Sequence, residues 1–253
     1  MLADHPLLVG ALDDLRPAMQ RNEDVKKIAA LKPGQRIPWE LSEAELYIDH
    51  VFRAQVGVTD IFDQLDKALF YLRSKGKSQT GKPPRYTNWT WLEYHVSYFV
   101  IMHSALFDRA LILVNEVFEL GNPPKQCKPE VIKSNTKVSA WTLKALAQIE
   151  NCTLKLRNDR NVLLHRGYSI DIAKIFDSEL LQNLKFCYAA KSLSREYVDP
   201  PFLEVALKIG KRDVITVLKK YAIEAEADTR CLLDVLLPVY VKTKRQLDAA
   251  ANL

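Results

Sequence analysis

Apolar side chains recur along this chain at steps of three and four residues, the interval that lines one face of an α-helix. Leu92, Val96, Phe99, His103, Leu106, Ala110, Leu113 and Val117 form the clearest series, and Val100, Phe107, Leu111, Val114 and Phe118 widen it. A stripe that broad predicts a helix central to a bundle. An earlier stripe, Val51, Phe52, Val58, Phe62, Leu65, Leu69 and Leu72, predicts a helix ending at Arg73. Its start is marked by "LSEAEL": Ser42 and Glu45 are spaced as a capping box, and Leu41 and Leu46 occupy staple positions. Asn88 or Thr90 is the expected cap of the central helix, Thr90 having Glu93 at capping-box distance, and Gly121 is its expected C-cap. A third helix is predicted from near Ser139 through Trp141, Leu143, Leu146, Ile149 and Leu154 to a stop at Gly167. A fourth is predicted from about Asp171 to Leu193, with Ile172, Ile175, Phe176, Leu180, Leu184 and Cys187 facing inward.

Prolines and glycines divide the rest. "LKPGQRIPWE" ends a helical arm over residues 1–40, and "SREYVDPP" separates a helical C-terminal extension, residues 196–253, from the four helices of 41–195. The fold expected is all-α, an up-and-down four-helix bundle with additional N- and C-terminal helices. No repeat or heptad array interrupts that picture.

Composition narrows the class. With 253 residues, 48% hydrophobic and 26% charged, the chain has the make-up of a globular protein with one main core and appended helices. The net charge of +5 permits an anionic partner without demanding one. Part of the excess is local: Arg73, Lys75, Lys77, Lys82 and Arg85 fall in one stretch that has no acid, either a solvated connector or an anion-facing element. Cys127, Cys152, Cys187 and Cys231 form no C-x-x-C pair and no zinc pattern, and are expected reduced and mostly buried. The N-terminus lacks the features of a secretory signal. Val96–Leu120 carries His103, Asp108, Arg109, Asn115 and Glu116, more polar groups than a membrane span is expected to hold. A cytoplasmic location without membrane is therefore expected.

Little in the sequence offers familiar chemistry. "GKSQTGKP" imitates a phosphate-binding loop, but Pro83 replaces the hydroxyl that would reach magnesium and Pro84 blocks the helix that should follow. His5, His50, His95 and His103 match no metal motif, so neither metal nor cofactor is expected, and His103 on the central stripe reads as a core histidine. No cysteine has an activating histidine near it in sequence. The exception is "LRNDRNVLLHRG", Leu156 to Gly167. At about 100° per residue Asn158, Asn161 and His165 share one helical face, whereas Arg160 diverges from His165 by roughly 140°. Either Arg160 swings round, or the helix ends here, or two copies of the segment meet. Arg157 and Arg160 could equally do no more than neutralise a helix C-terminus, and residue types alone leave both readings open.

The string "RNVLLH", Arg160 to His165, resembles the R-x(4 to 6)-H signature of the HEPN superfamily in the form with Asn directly after Arg. Its setting is similar too: an all-helical chain, a long apolar second helix ending "ILVNEVFELG", a proline-bearing loop, and the motif where the third helix gives way to the fourth. The resemblance spans roughly residues 41–195. It implies a four-helix bundle that dimerises, bringing two motifs into one cleft, and in many members a metal-independent ribonuclease acting as a toxin or antiviral defence effector. The resemblance then assigns His165 to proton transfer, Arg160 to the phosphate, Asn161 to orienting the imidazole or donating to a phosphate oxygen, and Arg157, Asn158 and Arg166 to substrate binding. An RNA substrate, a second copy of the chain and an antitoxin or other defence partner are the implied partners. The alternative implied by catalytically silent members is a module that binds nucleotide or nucleic acid, or a helical interaction scaffold.

Overall fold

The computed structural model describes residues 2–22, 41–74, 87–166, 170–192 and 199–250. A short 3₁₀ turn at Leu2–Asp4 precedes eight α-helices among the described residues: α1 Pro6–Asn22, α2 Glu43–Arg73, α3 Asn88–Val117, α4 Pro129–Lys133, α5 Ala140–Arg166, α6 Ile172–Ile175, α7 Glu179–Ser192 and α8 Pro200–Ala250. The fold is all-α, an up-and-down bundle with helices added at both ends. Expected boundaries at "LKPGQRIPWE", the basic stretch after Ser74, Gly167 and most of "SREYVDPP" lie outside the described residues.

Local sequence explains where the helices begin and stop. The Ser42 amide donates to Glu45 Oε2 at 2.9 Å and the Glu45 amide to Ser42 Oγ at 3.3 Å, so the capping box forms. Leu46 of the expected staple is 45% exposed, on the solvent side of α2. The cap of α3 is Thr87 rather than Asn88 or Thr90, its hydroxyl accepting from the Thr90 amide at 3.1 Å. Ser139 caps α5 through the Thr142 amide. All eight positions of the central stripe from Leu92 to Val117 are buried. By length and composition α3 is apolar enough to cross a membrane despite its polar groups, contrary to expectation, and 56% of its most apolar stretch is buried within the protein.

The predicted fourth helix is two. Asp177 takes a left-handed φ of +45°, and Ser178 caps a fresh start by accepting from the Leu181 amide. The break resets the helical phase, so Leu181 is buried where Leu180 was expected. Trp141 and Leu154 of α5 are 71% and 51% exposed. Of the four thiols, Cys127 and Cys152 are buried, Cys187 is half-buried and Cys231 is exposed.

The described chain falls into two compact units. In the first, residues 1–60, 107–149 and 227–253, the Tyr47 and Tyr240 rings stack at 5.8 Å. Tyr47 donates to the Val117 carbonyl and Tyr240 to Asp14. His5 accepts the Leu7 amide on Nδ1 at 3.1 Å, which places its proton on Nε2, 3.0 Å from Asp234. At the end of α3, Asn115 exchanges bonds with the backbone of Asn122: its Nδ2 donates to the carbonyl and its Oδ1 accepts the amide, at 3.0 and 3.1 Å. That clamp closes a turn in which both Glu119 and Gly121 have positive φ.

In the second unit, residues 61–106 and 150–226, α2 and α3 run antiparallel, Gln64 meeting Tyr98 and the Tyr71 carbonyl meeting the Trp91 indole. His103 lies fully buried beside Phe99, with Cys152 Sγ 3.8 Å from its Nε2. Gly210 lets α7 approach α8, since a Cβ there would stand 2.8 Å from Leu181 Cδ2.

Candidate functional site

The arginine and histidine segment occupies the last turns of α5, which continues unbroken through Arg166. The helix therefore does not stop between Arg160 and His165. The His165 and Arg166 side chains lie outside the described residues, but the backbone fixes His165 on the helical face of Leu154, Asn158 and Asn161, all exposed. Within the motif Asn161 and Leu164 are exposed, Leu164 by 55%.

Arg160 is drawn round toward that face. Its Nε and Nη2 donate to Asn161 Oδ1 at 3.4 and 3.3 Å, and its Nη1 donates to the Ser104 carbonyl of α3 at 3.4 Å. A guanidinium can only donate, so the Asn161 oxygen must face it and the Asn161 amide nitrogen points away. Asn161 thus holds Arg160, a role the spacing alone did not suggest. These bonds are long, and they orient a half-buried cation through all three of its guanidinium nitrogens.

Of the other expected residues, Arg157 is half-buried and Asn158 exposed on the same two turns. Asp159 was passed over in the sequence. Burial pushes its carboxyl up and Lys174 of α6 pulls it back, so an acid of perturbed ionisation stands beside Arg160. No spacing rule would have flagged it. The signal is tertiary, the docking of α6 against the end of α5.

His103 and Cys152 form a pair invisible in sequence, 49 residues apart. Burial pushes His103 down to about 4, partly opposed by the Tyr221 backbone and Glu224. Fully enclosed and neutral, it belongs to the core as expected. Among the described residues no three His, Cys, Asp or Glu side chains converge as metal ligands.

Residues 44–196 match the family model described as Cthe2314-like HEPN. The chain belongs to the HEPN family. The matched HEPN segment opens one residue inside α2, contains Arg160 to His165, and ends between α7 and α8. Helix α8 and helix α1 lie outside it. No curated protein and no solved structure matches the chain.

Proposed function

We propose that this HEPN chain is a metal-independent endoribonuclease that cuts RNA at a site built from Arg160, Asn161 and His165 of two copies. The observation that carries the reading is the Arg160 guanidinium, turned by Asn161 and the Ser104 carbonyl toward the exposed face to which His165 belongs. Exposed Leu154, Val162 and Leu164 give the same part of α5 the apolar surface a second copy would cover.

The chemistry needs no metal. The substrate's 2'-hydroxyl attacks the adjacent phosphorus while one His165 imidazole takes its proton. The second His165, protonated, gives a proton to the departing 5'-oxygen. Arg160 bears the charge that develops on the non-bridging oxygens. Asn158, Arg157 and Arg166 serve as contacts for the RNA backbone. Products are a 2',3'-cyclic phosphate and a 5'-hydroxyl, and DNA survives. The setting is a cytoplasmic toxin or phage-defence effector restrained by a partner protein.

Labelled tRNA and single-stranded RNA incubated in EDTA test this directly. Wild-type protein should cut and leave cyclic phosphate ends, His165→Ala should not, and both should sediment as dimers. Equal cutting by the His165→Ala protein overturns the mechanism. RNA binding without cutting by either protein makes the chain a silent HEPN module instead.

A further inference from the structure

In the second unit a cavity of about 740 Å³ opens where α2 ends, α3 begins and α8 passes. No residue of the Arg160 to His165 motif lines it. Four cations do, Arg73, Lys208, Lys211 and Arg212, with the carboxylate of Glu204 in the lining and that of Asp213 bonded to Arg212 at 3.4 Å. The Lys211 ammonium is anchored on the Ser74 carbonyl at 2.9 Å, which fixes its charge at the wall. That field reaches inward: burial chiefly, and Lys211 after it, hold His95 below its ordinary range.

The rest of the wall is not built for a bare anion. Trp91 contributes its indole, locked by a bond from Nε1 to the Tyr71 carbonyl and by the His95 ring edge-on at 4.2 Å. Val205 and Ile215 of α8 supply aliphatic surface. A rigid aromatic ring, an apolar side and convergent cations in a volume of several hundred Å³ suit a ligand with a flat ring at one end and phosphate at the other. Inorganic phosphate would leave the indole and aliphatic wall unused, and an uncharged aromatic would leave the excess of positive side chains in the lining unused.

The geometry points to this cavity as a binding site for a phosphorylated nucleoside, with phosphate on Arg73, Lys208, Lys211 and Arg212 and the base against Trp91 and the α8 wall. The ligand is a free nucleotide or one unit of a single-stranded RNA; the recognising chemistry is shared. The inference does not rest on the nuclease reading, because the site holds none of the motif residues.

Calorimetric titration of the full chain carrying Arg160→Ala and His165→Ala, which keeps RNA intact and removes the motif's contacts, separates the possibilities. The probes are AMP, ATP, inorganic phosphate and a ten-nucleotide oligouridylate. The expected result is that AMP or ATP binds more tightly than phosphate. Lys208→Glu with Arg212→Glu, both exposed positions where folding should survive, then weakens binding about tenfold or more. Trp91→Leu, checked for helicity, removes the advantage of AMP over phosphate. Binding of the oligonucleotide alone, weakened by the same variants, assigns the pocket to an RNA strand. Three outcomes overturn the proposal: no binding by any probe, binding indifferent to the charge reversals, or phosphate binding as tightly as AMP.

Discussion

On the proposed nuclease reading Arg160 carries the charge of the reacting phosphate, and its environment says what replacing it should do. Two of its donors converge on one amide oxygen, an arrangement that needs a planar fork. Arg160→Lys keeps the charge but loses the fork, so RNA cleavage should fall about 100-fold or more, nearly as far as in Arg160→Ala. Thermal stability should change by no more than about 1 kcal/mol in either, since the side chain is only half-buried. Initial rates beside melting curves read both. His103 makes the opposite kind of prediction. Its imidazole is held near 4 in the folded chain against 6.5 when exposed, so the unfolded state binds the proton first as pH falls. Its contribution is therefore intact above pH 6.5 and is lost progressively toward pH 4, amounting to about 3 kcal/mol. Urea unfolding at pH 7 and 4.5 should show this loss in the wild type and a smaller one in His103→Leu; parallel pH slopes would refute it.

Helices were legible where the pattern was long and locally capped. The stripe of α3 was readable to the residue because every position is buried, and Ser42 announced α2 because its capping box is complete within four residues. Where a boundary rests on one backbone angle, sequence was silent: Asp177 in the left-handed region splits α6 from α7, and nothing in residue type demanded it. Within the motif, spacing separated Arg160 from His165 by face. It could not reveal that Asn161 and a carbonyl of α3 would turn the guanidinium, because that depends on where α3 lies. The end of α3 gives an element-scale prediction. Asn115 is 2% exposed and bonds both the amide and the carbonyl of Asn122, so Asn115→Leu removes both bonds and leaves the carbonyl only the Cys127 thiol at 3.7 Å. A loss of about 2–3 kcal/mol in chemical denaturation is expected.

At the scale of the molecule the family boundary and the folding boundary do not coincide. The HEPN match ends at residue 196, yet α8 beyond it buries eight apolar side chains larger than alanine, from Leu203 to Tyr240. At about 2 kcal/mol each these equal the whole stability of an ordinary domain, roughly 5–15 kcal/mol. A chain stopped after Val198 should therefore lose cooperative unfolding and expose apolar surface to a dye, whereas a self-sufficient HEPN segment would melt as sharply as the full chain. The same helix carries Cys231, the one exposed thiol among four. A maleimide or nitroxide reagent will meet that sulfur first, which gives the natural chain an addressable point on α8. The spacing between two such labels reports how a pair of copies is arranged, with no cysteine added to the sequence.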